Sequence, residues 1–286
     1  MSEPYTTDAA VMAAVKERYA SAARRSLDVV DVGGGCCGPD CCGGSSASDP
    51  ITGDLYDRDS VPSQGALTAS LGCGNPTALV DLQPGQDVLD LGSGGGLDVL
   101  LSARRVAPGG MAYGVDMTDE MLELAQRHKA EAGVTNATFL RGTIESVPLP
   151  SASVDVVISN CVINLSSNKD AVLAESYRVL RPAGRFAVSD IVLLRPLEPA
   201  LASVVALWTG CIARALLDSE YVSKLTAAGF ADAFVEITRR YDRADIVSLA
   251  GQLGPDDIPA GLDIDQTIAA LDGALASAFI RAVKPA

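Results

Sequence analysis

Apolar positions along this chain change their spacing in a way that divides it into elements. Between residues 8 and 26, Val11, Met12, Val15, Tyr19 and Ala22 recur on one helical face, with Lys16, Glu17 and Arg24 elsewhere, which predicts a helix. Residues 33–46 have no such period; Cys36, Cys37, Cys41 and Cys42 sit among glycines and serines, and the stretch reads as a mobile loop. A turn and a helix at 77–82 lead into a region where short apolar runs alternate with helical periods. Strands are expected at 87–91, 111–116, 138–141, 154–159 and 184–192, with helices at 98–107, 118–132 and 169–180 between them. Thr118 provides an N-cap with acids in the first turn behind it. Such alternation predicts a parallel sheet with helices on both faces. Beyond residue 192 the pattern changes. A largely apolar helical segment covers 198–217 and carries Trp208 and Cys211; a helix follows at 218–229, with Asp218 or Ser219 capping it and Gly229 ending it. Two last strands are expected at 234–239 and 274–283, separated by an acidic insertion at 250–273 from which no function is read.

Composition narrows the classes. A chain of 286 residues that is 48% hydrophobic can bury a sizeable core without a disulfide framework. The N-terminus lacks a basic segment followed by an apolar one, so no export signal is expected, and seven cysteines then point to the reducing cytoplasm, with thiols as ligands or reactive groups. No apolar run reaches the length of a membrane span, and the net charge of −14 argues against nucleic acid or an anionic membrane as partner. The one histidine, His128, stands between Arg127 and Lys129 and reads as a solvated helix residue; alone it cannot build a His-rich metal site.

Chemistry concentrates in two places. Asp90-Leu-Gly92-Ser93-Gly94-Gly-Gly96 lies where a strand ends and a helix begins, so its backbone can approach a ligand closely. The second strand ends in Gly114-Val-Asp116-Met117, which places a carboxylate to accept from both hydroxyls of a ribose. The glycines run Gly-x-Gly-x-Gly rather than in the dinucleotide spacing. That favours S-adenosylmethionine, whose ammonium an acid such as Asp90 can hold directly or through water. The second place is a set of cysteines in separate segments: Ser-Leu-Gly-Cys73-Gly-Asn-Pro, Ser-Asn160-Cys161-Val-Ile-Asn and Trp-Thr-Gly-Cys211-Ile-Ala. Cys161 follows the fourth strand, at the sheet edge where ligands bind in such folds. Thiolate is the soft donor that As(III) or Sb(III) requires.

With the Gly142-Thr-Ile144-Glu145 step after the third strand and residues 155–160, the glycine region resembles class I S-adenosylmethionine-dependent methyltransferases over residues 80–195. The resemblance implies a Rossmann-like α/β fold: a mainly parallel seven-stranded sheet, an N-terminal cap and C-terminal substrate-binding elements. It also implies that Asp116 holds the ribose, that Ile144 and Glu145 meet the adenine, and that Asn160 faces the methionine portion. The cysteine segments are similar to those of the arsenite S-adenosylmethionine methyltransferases. That narrower resemblance implies that Cys161 and Cys211 bind arsenic, that Cys73 joins them or reacts during turnover, and that an N-terminal cysteine exchanges disulfides with it. Cys41 or Cys42 takes this last role, with Cys36 and Cys37 as further candidates. Glutathione or thioredoxin would reduce the disulfide.

On this reading residues 1–60 form an N-terminal helix and Cys-rich loop, 61–195 the cofactor-binding core, and 196–286 the arsenic-binding helical segment and the strands that complete the sheet. Arg214 departs from the family pattern, a guanidinium that would lower a nearby thiol pKa or narrow the pocket. No further cysteine-bearing domain is expected after Val283. Other classes account for part of the pattern. A methyltransferase acting on a quinone or sterol-like carbon has no use for three loop cysteines. A thiol-based arsenic or metal binder has no use for the glycine turn with Asp116, and a nicotinamide oxidoreductase would carry the other glycine spacing. Each cysteine could also be an inert core residue.

Overall fold

The computed structural model describes residues 80–197, 214–251 and 263–286, together with residues 74–76 and scattered positions before them (Lys16, Glu17, Ala20, Ser21, Ala23, Arg24 and Ala66). Seven strands form one sheet: β1 (Val88–Leu91), β2 (Ala112–Asp116), β3 (Ala137–Arg141), β4 (Val154–Asn160), β5 (Leu180–Leu193), β6 (Ala231–Arg240) and β7 (Leu275–Val283). Their order is β3-β2-β1-β4-β5-β7-β6. The first five are parallel, and β7 runs antiparallel between β5 and β6. The helices are α1 (Leu97–Val106), α2 (Asp119–Glu131), α3 (Lys169–Val179), α4 (Asp218–Ala227), α5 (Arg243–Ala250) and α6 (Ile264–Leu271).

Alternation of side chains along the central strands divides the core into two layers. Leu89, Leu91, Val157 and Val188 point to the face that also holds Leu173 of α3 with Tyr221 and Leu225 of α4. Val88, Val156 and Ile158 point the other way, against Val106 of α1. Burial on both faces is why β1 is fully buried along its length, Asp90 included. At an apolar transfer free energy of about 25 cal/mol per Å², each fully buried Leu or Val of these layers contributes roughly 1.5–3 kcal/mol.

The seven strands and the helices expected at 98–107, 118–132, 169–180 and 218–229 are present. The helix expected at 198–217 lies outside the described residues except for 214–217, which are not helical; residues 80–82 of the one expected at 77–82 are not helical either, and α5 is additional. β5 begins at Leu180, directly after α3, because Leu180 already pairs with Val154 before the ladder shifts register. The acidic insertion contains α6, capped by the Asp263 carboxylate, which accepts from the Gln266 N–H at 3.0 Å. Ile268 and Leu271 of α6 pack with Ile246 and Leu249 of α5, Tyr241, Ile191 and Cys161. The insertion therefore walls the end of the sheet that carries Cys161. Lys16, Glu17, Ala20, Ser21, Ala23 and Arg24 are helical as expected, and Arg24 reaches Glu120 of α2 at 2.7 Å.

Because β1, β2, β4 and β5 are parallel, the glycine turn, Asp116, Cys161 and Asp190 all lie at one sheet edge.

Candidate active site

Gly92, Gly94 and Gly96 have φ angles of +71°, +47° and +87°, in the left-handed region. At Gly92 any side chain would run into Val162, the residue after Cys161. At Gly96, which caps α1, a Cβ would lie 2.7 Å from the Phe139 ring. The turn is held from below: the Gly92 and Ser93 N–H groups donate to the Val115 carbonyl at 2.8 and 3.0 Å. His128 also holds it. Its Nδ1 donates to the Gly95 carbonyl at 2.7 Å, which fixes the proton on Nδ1 because a carbonyl can only accept. His128 is 3% exposed, so the expectation of a solvated residue is wrong. The signal was in the helix period: Met121, Leu124, Ala125 and His128 share the buried face of α2, whatever the charges beside the histidine.

Three carboxylates converge here. Asp116 Oδ2 accepts from the Gly94 N–H and Oδ1 from the Thr118 N–H, both at 2.9 Å, so the acid ending β2 is fixed against the turn. Burial raises its pKa, against the hydrogen bonds from Thr118 and Gly94. Asp90 is pushed well above the usual carboxylate range, first by burial and then by the charges of Asp98 and Asp116. Its Oδ1 and the Ser93 Oγ have no hydrogen-bond partner. A buried, unpartnered carboxyl beside two further acids suits a cationic ligand, which would relieve all three. The ammonium and sulfonium of S-adenosylmethionine are of that kind, so the residues fit the cofactor that the sequence implies.

A cavity opens over the turn. Of the expected cofactor residues, Gly92, Gly94, Asp116, Met117, Ile144 and Glu145 line it. Asp90, Ser93, Gly96 and Asn160 lie outside its wall. Sequence reasoning missed Thr143, Val162, Leu165 and Ser166 on the same wall. Ser166 Oγ donates to Glu145 Oε1 at 2.5 Å and accepts from the Asn168 N–H at 3.1 Å, tying the segment after β4 to the segment after β3. Only the pairing of a short polar residue with an acid 21 positions earlier hinted at this, and no local pattern reports such a contact.

Asn160 is held by backbone and carboxylate partners within the protein. Its Oδ1 accepts from the Gly74 N–H at 3.1 Å, its Nδ2 donates to the Gly74 carbonyl at 2.7 Å, and Nδ2 lies 3.3 Å from Asp98 Oδ2. Gly74 follows Cys73 in the chain, and Asn160 precedes Cys161. Cys161 is buried, with φ +61°, and its N–H donates to the Ser189 carbonyl at 2.9 Å. Its sulfur is in a disulfide, and it is the only cysteine among the described residues, so its partner lies outside them. Cys41, Cys42, Cys73 and Cys211 lie outside the described residues.

Comparison with known proteins agrees with this geometry. Residues 82–229 match the family model described as a methyltransferase domain, more than half of the chain. The solved arsenic(III) S-adenosylmethionine methyltransferase of Chlamydomonas reinhardtii is 32% identical, with a TM-score of 0.58 over 76% of this chain and 68% of that one. The chain belongs to the arsenite methyltransferase family. The arsenite methyltransferase of Halobacterium salinarum is 39% identical over 279 residues, 95% of this chain and 66% of the relative. That of Aquipseudomonas alcaligenes is 42% identical over 169 residues, 56% of this chain and 48% of the relative. The chain thus spans just under two thirds of the first of these curated family members and about half of the second. No helix among the described residues is long and apolar enough to cross a membrane.

Proposed function

We propose that this chain transfers the methyl group of S-adenosylmethionine to trivalent arsenic held by Cys161 with Cys73 and Cys211. One observation carries the reading beyond family membership. Cys161 directly precedes Val162, which covers Gly92 and lines the cofactor cavity, so its side chain stands next to the place of the methyl donor. Reduced to its thiolate, Cys161 offers at this position the soft donor that trivalent arsenic requires. Gly74 tied to Asn160 supports Cys73 as a neighbour, since consecutive Cα atoms are only about 3.8 Å apart.

The cofactor, when bound, supplies a methyl group carried on a sulfonium. Asp116 would accept from the ribose hydroxyls, Ile144 and Glu145 would meet the adenine, and Asp90, with Asp98 as its neighbour, would take the ammonium. The thiolates orient arsenic so that its lone pair points away from the sulfurs, toward the methyl carbon. As the As–C bond forms, the S–CH3 bond breaks and both of its electrons stay on the departing sulfur. No proton is lost from arsenic at the attacking position, so no general base is needed; alignment in a closed site does the work. The transfer oxidises arsenic formally from trivalent to pentavalent. Two cysteine thiolates return the electron pair by closing a disulfide, and one of Cys41 and Cys42 exchanges with it. Glutathione or thioredoxin then reduces that disulfide, which assigns the enzyme to the reducing cytoplasm.

Two variants test the ligand set. Cys161→Ser and Cys211→Ser should each abolish methylation of arsenite while the affinity for S-adenosylmethionine, measured by calorimetry, stays within about twofold. Retained turnover in both would remove these cysteines from the arsenic site.

A further inference from the structure

The turn that presents Cys161 is fastened to β5 by a polar pair in the core. Asn164 Nδ2 donates to Asp190 Oδ1 and to the Ile191 carbonyl, both at 2.8 Å. Asp190 Oδ1 also accepts from the Ile191 N–H at 3.0 Å, and the Tyr221 hydroxyl stands 3.5 Å from Oδ2. Asn164 and Asp190 are 0% and 1% exposed, so these bonds have no competition from water. Asn164 Oδ1 has no partner at all. Burying a carboxyl and an amide in an otherwise apolar layer is costly, and two aliphatic residues of similar size would pack the same space. The pair needs a reason other than stability.

The strained residue three positions earlier supplies one. Cys161 holds a left-handed φ, which is strained for a non-glycine residue and persists only where its surroundings enforce it. Its N–H is held by the Ser189 carbonyl, and Asn164 is held by the next residue, Asp190. The two attachments bracket the turn from Cys161 to Asn164 against consecutive residues of one strand. On the far side Lys169 Nζ donates to the Ser166 carbonyl at 3.0 Å, so slack cannot be taken up there.

We propose that Asn164 and Asp190 are positioning residues that clamp the Cys161 turn and so set the direction and accessibility of its sulfur. This rests on the reading of Cys161 as an arsenic ligand, but the clamp is measurable without arsenic. In the reduced full-length protein, Asn164→Leu removes both donors at similar volume and should speed alkylation of Cys161 by iodoacetamide at least fivefold, read by peptide mass spectrometry. The KM for arsenite should rise about tenfold, while the affinity for S-adenosylmethionine stays within twofold. Asn164→Ala gives the same readouts if the leucine variant does not fold. Asp190→Asn keeps an oxygen that accepts from Asn164 and the Ile191 N–H, so it should stay close to wild type where Asp190→Leu does not. Alkylation and arsenite KM within twofold of wild type in a folded Asn164 variant would overturn the clamp. So would equal impairment by Asp190→Asn and Asp190→Leu, which would make charge rather than tethering the operative property. If arsenite is not methylated but the alkylation difference holds, the clamp stands and the reaction assignment fails.

Discussion

Asp90 is the residue whose electrostatics point most clearly to a cationic ligand. Burial and the neighbouring charges of Asp98 and Asp116 raise its pKa, so the free protein favours the protonated acid. A cationic ligand favours the carboxylate, so binding should drive the proton off. We expect S-adenosylmethionine binding to release protons, seen as an enthalpy that changes with the ionisation enthalpy of the buffer. Affinity should rise with pH until Asp90 is ionised in the free protein. Asp90→Asn should remove both effects; a buffer-independent enthalpy in the wild type would show that Asp90 does not meet the cation. Asp90 and Asp116 were legible in the sequence because one stands at the start of the glycine motif and the other ends the second strand. Asn160 was only half legible. Its place at the end of β4 could be counted from the pattern, but its partner, the Gly74 backbone 86 positions away, could not.

At the scale of elements, the site is a set of strand ends whose loops are braced by helices. α2 braces the glycine turn through His128, and replacing that residue tests the brace. His128→Leu keeps the apolar packing but leaves the Gly95 carbonyl without its buried donor, a loss of roughly 1–3 kcal/mol. Thermal unfolding should shift down by several degrees, and S-adenosylmethionine should bind about tenfold more weakly, measured by calorimetry. Unchanged affinity with lowered stability would confine His128 to packing. Sequence periodicity located α1 to α4 and all seven strands because each buries a face with its own period. It did not find α5, or α6, whose eight residues lie in a stretch that reads as an acidic insertion and which packs against α5 and the Cys161 end of the sheet. The far ends of such contacts are set by tertiary packing, which a local period does not encode.

Across the whole molecule, one titrating core group should colour the pH dependence of stability. Burial raises the Asp190 pKa from 3.8 to about 7, against the Ile191 hydrogen bond and the nearby Lys169 charge. Between those values the native state keeps a proton that the unfolded chain has given up. Stability from this group is therefore full below about pH 4, falls as pH rises to about 7, and is flat above. Asp190→Asn lacks the titration, so the difference in melting temperature between wild type and variant should drift against the wild type over that window. A constant difference from pH 4 to 8 would show that Asp190 is ionised throughout.

The central claim is that a methyl group moves to arsenic held on the thiols at this sheet edge. It is tested most directly by incubating the purified protein with arsenite, methyl-labelled S-adenosylmethionine and a thiol reductant, then separating arsenic species by chromatography with mass detection. The account predicts labelled methylarsenicals, with S-adenosylhomocysteine formed alongside, from the wild type and none from Cys161→Ser. Unchanged arsenite in the presence of bound cofactor would contradict it and send the search to another methyl acceptor.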